Sequence, residues 1–594
     1  MLPHVIITER LRAAVVLCCP GADTAAVLVR PCPDPKFGHY QTNSLMGLAK
    51  ARKANPRQLA GEVVAQLRLD DLCDRVEIAG AGFLNFHLRT DAMCATLASA
   101  AQGGHLFFEP AAAPRVVVID FSSPNAAKPM HVGHIRSTIL GDCLARLLRL
   151  LGHQVITDNH IGDWGTQFGM LLTGWKTILD ETALAADPLL EMERIYKAVS
   201  AKCDPEKPGF DALVLGRARE ELVRLQAGDA ENLRIWGEMI RLSQAQFDCV
   251  YGRLGVKFDH TYGESFYNPR LAAVVEDLAS RGIAQESRGA MAVLSDGSLP
   301  PKDDPWLVQK EGEWTPNPFI VRKSDGGFNY ASTDLATLAF RIETWRAEEI
   351  AYVTDGRQQL HFRQLFATFR RWRPEAATKL AHVWFGSILG EDGKPFKTRS
   401  GETVRLADLL DEAEERAFKV VSAKRPDLPE ADRREIGRIV GVGAVKYADL
   451  LPNRQSDYVF SWDKMLAFTG NTAPYLQYAC TRIRGIFRKN ASEEGASRAP
   501  DARIILEHPQ ELALARHLMN FGFALDAAAE EYRPNLLCNY LYELAGHFTS
   551  FFENCPVLKS EPGLRNSRLA LCDLTSRVLR QGLELLGIQI PDQM

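Results

Sequence analysis

Residues 116–134 read VVVIDFSSPNAAKPMHVGH, and this stretch decides the fold of the chain. Its opening run is almost entirely apolar, the pattern of a strand buried on both faces of a parallel sheet. A loop rich in Ser, Pro and Asn follows, and then apolar residues recur every four positions before Gly152, at Ile135, Ile139, Cys143, Leu147 and Leu151. That spacing predicts an amphipathic helix. Strand, loop and helix in this order predict the opening of a Rossmann-like domain, whose ligands bind at the carboxyl ends of the strands.

At the predicted helix start two histidines flank a glycine, in the order His131-Val132-Gly133-His134. A helix N-terminus presents unpaired N–H groups and the positive end of its dipole, so it favours an anion. Gly133 has no side chain, so phosphates or a purine can approach the backbone. The two imidazoles can donate hydrogen bonds to phosphate oxygens. The motif therefore predicts a nucleotide site, with helix capping or core packing of the histidines as the alternative.

The rest of the chain predicts a multidomain protein that combines α/β and all-α parts. We expect a small N-terminal α/β domain, a Rossmann-like catalytic domain with insertions, and a C-terminal helical bundle. The helical stretch from Ser44 to Leu69 is expected to restart at Pro56, and further strands are expected at Ile350 to Val353 and His382 to Phe385. The predicted boundaries are 1–112 for the first domain, 113–405 for the second, 406–448 for a helical connector and 449–594 for the last.

Composition places the chain among ordinary soluble proteins. It has 594 residues, of which 46% are hydrophobic and 24% charged, and this length exceeds what one core usually supports. The apolar run Ala13 to Cys19 is too short to cross a membrane. Twelve cysteines without a CxxC pair suit small buried hydrophobes in a reducing compartment, so we expect a cytoplasmic protein without a bound metal. The net charge of −4 does not point to a nucleic acid, unless basic residues cluster on one face.

The stretch from Asp120 to Gly141 resembles the HIGH signature region of class I aminoacyl-tRNA synthetases, in its arginyl form. The resemblance is long, because it includes the less generic pattern SSPN-AKPMHVGH-RST, and it continues over nearly the whole chain. The further matching segments are Gly162 to Gly169, Tyr330 to Asp334, Gly443 to Asp449 and Asn471 to Tyr478.

This resemblance implies ATP-dependent ligation of L-arginine to tRNA(Arg) through arginyl-adenylate, with release of AMP and pyrophosphate. It implies that Mg²⁺ arrives with ATP, that arginine activation requires the tRNA, and that the protein is a monomer. The catalytic and ATP-binding residues that it implies are His131, Gly133, His134, Lys128, Lys397 and Arg399.

The second class I signature departs from the family pattern. The matching stretch is Phe396 to Ser400, in which Lys397 stands at one lysine position and Arg399 replaces the usual second lysine. Family members with a degenerate loop tend to carry a lysine just before the HIGH motif, where Lys128 stands. We infer that Lys128 supplies the missing cation; the alternative is an exposed loop residue.

By resemblance, Tyr330, Asp334 and Gln358 line the pocket for the arginine side chain. A guanidinium is planar, permanently charged and offers five donors, so carboxylates and neutral acceptors suit it. Asp334 could instead cap its own helix, and Gln359 is an alternative to Gln358. The amino and carboxylate end of arginine is assigned to Asp120 and Asn125, and Ser122 is a further arginine-binding residue that the resemblance implies.

For the tRNA, the segment Phe37 to Asn43 matches a family segment that meets the D-loop, and the implied contacts are Tyr40, Gln41 and Asn43. His39 stands where the family often has an acid. Aromatic side chains read splayed RNA bases by stacking, so Tyr475 and Tyr478 are expected near the anticodon stem or loop unless they are core residues. A small-molecule nucleotidyltransferase and a synthetase-like binding protein without catalysis are the competing functions; the predicted helical domain disfavours the first, and the complete HxGH motif disfavours the second.

Overall fold

The computed structural model describes residues 2–396, 404–494 and 503–594. These residues pack into two compact units, each assembled from separate parts of the chain. The first unit contains Met1–Pro110, Ala467–Glu584 and Gln589–Met594, and the second contains Ala111–Leu466 and Leu585–Ile588. The predicted N-terminal and C-terminal domains therefore share a unit, whereas the boundaries drawn from the sequence stay a prediction.

Residues 2–110 open the first unit as a small α/β structure. Its elements are α1 Pro3–Cys18, β1 Arg30–Pro31, a 3₁₀ turn Pro35–Phe37, β2 Tyr40–Thr42, α2 Ser44–Ala51, α3 Pro56–Gln66, β3 Cys73–Ala79, β4 Phe83–Leu88 and α4 Thr90–Ala101. The strands form an antiparallel sheet in the order β1-β2-β4-β3. Pro56 begins α3 as predicted, because its fixed φ suits the first helical position and Asn55 caps the N–H groups of Arg57 and Gln58.

The second unit begins with the predicted strand, loop and helix. Its elements up to the insertion are β5 Val116–Asp120, α5 Val132–Leu150, β6 Gln154–Asp158, α6 Thr166–Ile178, α7 Glu181–Ala186, α8 Pro188–Cys203, α9 Ala212–Gln226, α10 Ala230–Leu254 and α11 Glu264–Ser280. Gly152 ends the helical segment as predicted, since its φ of +87° is a conformation that glycine adopts without strain.

The chain then forms short strands and returns to the sheet. The elements are β7 Ala284–Ser287, β8 Ala290–Val293, β9 Leu307–Lys310, β10 Glu313–Pro316, β11 Phe319–Arg322, α12 Tyr330–Trp345, β12 Glu349–Tyr352, a 3₁₀ turn Gly356–Gln358, α13 Gln359–Trp372, β13 Lys379–His382, β14 Ile388–Leu389, α14 Leu406–Lys424, α15 Glu430–Leu450, β15 Tyr458–Val459 and α16 Trp462–Met465. The strand predicted over His382 to Phe385 instead ends at His382.

Within the described residues, four parallel strands form the central sheet in the order β13-β12-β5-β6. Asp120 lies opposite Asp158 on one side and Tyr352 on the other, at the last pair of each register. Because parallel strands end at the same edge, the loops after β5, β6 and β12 meet there. This edge carries the candidate active site.

Five helices from residue 473 onward complete the first unit: α17 Ala473–Glu494, α18 Pro509–Met519, α19 Phe521–Glu530, α20 Pro534–Asn554 and α21 Pro562–Leu585. The predicted helical bundle is thus confirmed in the described residues. Phe523 of α19 packs against His4 and Tyr40, with ring centroids 4.3 and 5.9 Å apart. No helix in the part of the chain that the structure describes is long and apolar enough to span a membrane.

One short segment late in the chain belongs to the second unit. Lys446 of α15 is buried, and its Nζ donates hydrogen bonds to the carbonyl oxygens of Leu254 and, at 2.7 Å, Gly587. Burial lowers the pKa of Lys446 to about 8. The Lys446 amine therefore bonds the segment Leu585–Ile588 to the rest of the second unit, which is the catalytic unit.

Candidate active site

His131 and His134 are tied together at the start of α5. His131 is the N-cap residue, and its Nδ1 accepts a hydrogen bond from the Gly133 N–H at 3.0 Å. The Nδ1 of His134 in turn accepts from the His131 N–H at 3.1 Å, and the two ring centroids lie 4.0 Å apart. The alternative interpretation, in which the histidines cap the helix, is therefore correct for Nδ1 of each ring.

These capping bonds also determine which nitrogen of each ring carries a proton. Burial lowers the pKa of His131 and lowers that of His134 to about 3, so both rings are neutral at pH 7. A neutral imidazole carries one proton, and since Nδ1 is the acceptor in both rings, the proton resides on Nε2. Each ring thus keeps one N–H donor that no group of the described residues occupies.

Gly133 is required for a reason that the sequence did not indicate. A Cβ at this position would lie 2.8 Å from Cε1 and 2.9 Å from Nδ1 of His131. Any side chain here would push the His131 ring out of its cap. Glycine therefore preserves the histidine geometry, in addition to the open backbone that we predicted.

The loop between β5 and α5 stores backbone strain. Ser122, Ser123 and Ala127 have φ values of +72°, +48° and +62°, a region that residues with side chains seldom occupy. Hydrogen bonds hold the strained conformation: the Ser123 N–H donates to Asn159 Oδ1 at 3.0 Å, and the Ala127 N–H donates to Ser243 Oγ at 2.9 Å.

The Ser122 side chain is bonded to protein groups. Its hydroxyl is buried and lies 2.8 Å from both the Thr138 hydroxyl and the Tyr251 hydroxyl. A contact of this side chain with arginine stays a prediction. Ser122 anchors the strained loop to α5 and α10.

Asp120 has internal partners rather than an open carboxylate. Arg341, which is fully buried on α12, donates to Asp120 Oδ2 at 2.6 Å and to Asp158 Oδ2 at 2.7 Å. Asp120 Oδ1 accepts from the Ser123 hydroxyl at 3.0 Å. A direct contact with arginine stays a prediction for Asp120; the observed bonds link the ends of β5 and β6 to α12.

Tyr330 and Asp334 lie one turn apart on α12, as the sequence predicted. Asn329 caps this helix through the Ala331 N–H, so the alternative role of Asp334 as the cap is wrong. The Asp334 carboxylate is instead 2.6 Å from Nε2 of His361. The Tyr330 ring is 64% exposed and meets the His361 ring edge-on at 5.1 Å.

The side chains of Gln358 and Asn125 are exposed near this pocket. Gln358 ends the turn before α13, and the described residues provide no side-chain hydrogen bond to it. The neighbouring Gln359 donates to the Gly356 carbonyl at 3.0 Å, so its amide is already engaged. Asn125 forms a bridge with Gly162, where a Cβ would meet Asn125 Oδ1 at 2.2 Å. The structure therefore favours Gln358 over Gln359.

Glu264 is a residue that the sequence reasoning missed. It begins α11, and burial is the main cause that raises its pKa to about 7, with the carboxylates of Asp334 and Asp163 acting in the same direction and His160 against them. A carboxyl group whose pKa is raised by partial burial and by neighbouring carboxylates is a candidate acceptor for a cation. The only sequence signal was an acidic residue directly after Gly263, and this signal alone does not predict a pocket.

Lys128 lies in the strained loop with its Nζ 4.4 Å from the centre of the Tyr196 ring. A cation over an aromatic face is held without being neutralised. Lys397 and Arg399 lie outside the described residues. The chain that follows them is described from Val404, whose carbonyl accepts from the Val132 N–H at 2.9 Å, and the Leu406 N–H donates to the Met130 carbonyl at 2.9 Å. The described chain from Val404 to Leu406 is therefore hydrogen-bonded to the HxGH segment.

Among the predicted RNA contacts of the N-terminal part, Tyr40 is buried. Its ring is 1% exposed and packs against His4 and Phe523, so it cannot stack on a base in this structure. Gln41 is half-buried and accepts a weak hydrogen bond from Cys32 Sγ at 3.9 Å. Asn43 is exposed and leaves the start of α2 uncapped, so its amide is open to a ligand.

The predicted contacts of the helical domain form an aromatic surface. Tyr478 is 45% exposed on α17, so a core role is excluded for it, while Tyr475 is half-buried. The Tyr475 ring meets Tyr542 of α20 edge-on at 5.6 Å, and Asn471 donates to Asn539 at 3.2 Å below them. Tyr542 was not foreseen, because only the fold brings α20 beside α17.

Comparison with known proteins places this geometry in a family. Residues 99–462 match the model described as tRNA synthetases class I (R), catalytic domain. The arginine–tRNA ligase of Chromobacterium violaceum is 45% identical over 598 residues, covering 100% of both chains. The chain belongs to the arginyl-tRNA synthetase family. The flanking parts agree, since residues 5–88 match the arginyl tRNA synthetase N terminal domain and residues 476–594 match the DALR anticodon binding domain.

Other arginyl-tRNA synthetases support the same conclusion. The arginine–tRNA ligase of Cellvibrio japonicus is 46% identical over 594 residues, covering 99% of both chains. The crystal structure of the Thermus thermophilus arginyl-tRNA synthetase matches with a TM-score of 0.82 at 26% identity and full coverage of both chains. The Plasmodium falciparum arginyl-tRNA synthetase matches with a TM-score of 0.78 at 28% identity, covering 100% of this chain and 99% of that one.

The activity of the chain is therefore that of an arginine–tRNA ligase, which joins arginine to tRNA(Arg) with ATP. Both competing functions weighed from the sequence are set aside by this result. The predicted three-part architecture is confirmed as well, because each part has its own family match.

Proposed function

We propose that the edge formed by β5, β6 and β12 builds arginyl-adenylate. In this step a carboxylate oxygen of arginine bonds to the α-phosphorus of ATP, and the bond to the pyrophosphate oxygen breaks. The observation that carries the proposal is the pair of neutral imidazoles whose remaining donors are both Nε2–H. Donors that are fixed before the reaction stabilise growing phosphate charge without reorganising.

The arginine side chain is assigned to the pocket between α11, α12 and α13. Asp334 and Glu264 supply the carboxylates for the guanidinium, and the exposed Tyr330 ring covers it. Gln358, whose side chain is exposed, lines the same side-chain pocket, and the exposed Asn125 binds the amino and carboxylate end. Carboxylates that stay unpaired with a wrong substrate are costly, which supports discrimination without editing.

The basic residues around the ATP phosphates are assigned to Lys128, Lys397 and Arg399. The Lys128 ammonium lies over the Tyr196 ring, and it forms no ion pair with a carboxylate of the residues that the structure describes. Its charge is therefore available to the triphosphate. The peptide hydrogen bonds of Val404 and Leu406 to the HxGH loop support a joint action of the two signatures.

In the second step the adenylate carbonyl carbon bonds to the 2′-hydroxyl oxygen of the terminal adenosine, and its bond to AMP breaks. The AMP phosphate can accept the hydroxyl proton, so no protein base is required. We propose that RNA is held by Asn43 and Gln41 and by the aromatic surface of Tyr475, Tyr478 and Tyr542, since exposed rings stack on bases. We also propose that the formation of arginyl-adenylate requires bound tRNA(Arg).

Three further assignments complete the proposal. Within residues 2–396, 404–494 and 503–594, no three His, Cys, Asp or Glu side chains are grouped so that they could hold a metal ion. On the resemblance alone, we propose that Mg²⁺ enters the site with ATP. A monomer in the cytoplasm is the proposed state, which the cysteines suit because none of the twelve forms a disulfide bond in the described residues.

The test is arginine-dependent exchange of pyrophosphate into ATP, with and without tRNA(Arg), in the wild type and in His134→Ala. Loss of one preorganised donor is expected to lower kcat by about 10²–10³. His153→Ala is the matched control, because this half-buried histidine also accepts a backbone hydrogen bond, from Arg115, but lies before β6. Equal loss in both variants would contradict the role of His134, and exchange without tRNA would remove the tRNA requirement.

A further inference from the structure

His361 is the side chain that joins the parts of the proposed arginine pocket. It lies on the first turn of α13, three residues after Gln358, and its Nε2 is 2.6 Å from Asp334 Oδ2 on α12. Both side chains are 17% exposed. The contact is therefore sheltered from water, where a charge-assisted hydrogen bond is strong.

The His361 ring is itself fixed on three sides. It meets Tyr330 edge-on at 5.1 Å, Phe319 of β11 at 5.6 Å and Phe362 of its own helix at 5.4 Å. A ring packed in this way cannot follow the Asp334 carboxylate if the carboxylate turns. It instead imposes one orientation on it.

This orientation determines what Asp334 offers to a ligand. Because Oδ2 is occupied by the imidazole donor, Oδ1 is the oxygen left for a guanidinium N–H. Glu264 is a second carboxyl group of the proposed pocket, and the charge of Asp334 contributes to its raised pKa. Without a donor on Oδ2, Asp334 would be free to turn away from this second carboxylate and from the substrate.

We propose that His361 is the positioning residue that holds Asp334 in the orientation required for a guanidinium and thereby sets the preference for arginine over its neutral ureido analogue citrulline. This inference rests on the proposed assignment of Asp334 to the arginine side chain. The citrulline carbonyl would face the fixed Oδ1, oxygen against oxygen, whereas a freely turning carboxylate avoids that repulsion. His361 thus acts through its hydrogen bond to Asp334 and transfers no proton to the substrate.

The experiment is steady-state aminoacylation of tRNA(Arg) by the full chain at pH 8, with saturating ATP and tRNA. His361→Leu removes the donor and keeps a bulky side chain, and His361→Gln restores an N–H donor. We expect His361→Leu to raise the arginine KM at least tenfold and to lower the kcat/KM ratio of arginine over citrulline at least tenfold. The kcat for arginine and the KM for ATP should stay within threefold, and His361→Gln should recover most of the arginine KM.

His382→Gln is the matched control, because His382 stacks on Phe362 at 4.3 Å and bonds to Thr354 without touching Asp334. An arginine KM within twofold of wild type in His361→Leu would overturn the inference, as would equal changes in the KM values for arginine, ATP and tRNA. Asp334→Asn is measured beside these variants. If its arginine KM is also unchanged, the pocket assignment itself fails; if only His361→Leu is unchanged, the positioning role alone fails.

Discussion

Arg136 and Asp449 form a buried ion pair, with Arg136 Nε 3.0 Å from Asp449 Oδ1 and both side chains almost fully excluded from water. The pair joins α5, two residues beyond His134, to the end of α15. Arg136 Nη1 also donates to the Gly386 carbonyl at 2.7 Å, just before β14 leads to the second signature. One guanidinium thus connects both nucleotide motifs to the helical end of the catalytic unit.

Asp449→Asn is expected to lower the free energy of unfolding by about 3–5 kcal/mol, because it leaves the Arg136 charge buried without its counterion. Urea denaturation followed by circular dichroism measures this loss. The double variant Arg136→Met with Asp449→Leu should recover a large part of it, since an apolar pair removes both charges. Additive losses in the double variant would show that the two residues do not interact.

Glu264→Gln is expected to change how the arginine KM depends on pH. The pKa of Glu264 is raised to about 7, so the ionised form, which binds a guanidinium best, is lost as the pH falls through 7. The wild-type KM should therefore rise between pH 8 and pH 6. In Glu264→Gln the KM should be high at pH 8 and nearly flat over this interval. A wild-type profile that is flat in the same interval would contradict the assignment.

Gly133→Ala should lower activity without lowering stability. Its Cβ would meet the His131 ring at 2.8 Å and displace it, whereas alanine is a better helix former than glycine. We expect kcat for pyrophosphate exchange to fall about tenfold or more with an unchanged or higher Tm. Calorimetry on the same sample separates the two effects, and a fall in Tm parallel to kcat would point to a general loss of structure.

Tyr478→Ala should weaken tRNA binding, since stacking of a base on an aromatic ring contributes about 1–3 kcal/mol. The expected rise in the tRNA KM is about fivefold or more, with the KM values for ATP and arginine unchanged, and Tyr478→Phe should behave as the wild type. Tyr40→Ala is the contrasting variant: its ring is buried, so it should lower Tm. A larger tRNA KM in Tyr40→Phe with an unchanged Tm would restore the predicted D-loop role.

The sequence predicts most closely those features that depend on neighbouring residues. The apolar run of β5, the four-residue spacing of α5 and the restart at Pro56 are local, and the structure matches each. Contacts between distant segments were not predictable from local patterns: Phe523 covers the Tyr40 ring, and the Tyr251 hydroxyl bonds to the Ser122 hydroxyl. Glu264 and His361 were not predicted as pocket residues for the same reason. Their role depends on Asp334, which is 70 and 27 residues away.

The bond between Lys446 and the Gly587 carbonyl has a consequence for synthesis on the ribosome. A nascent chain that has reached residue 584 has every helix of the catalytic unit but lacks the segment that occupies this buried amine. The first unit is also incomplete until late in translation, because its N-terminal part packs against Phe523 of α19. Neither unit can therefore close before the other is nearly translated, and premature termination would leave two incomplete units rather than one active fragment.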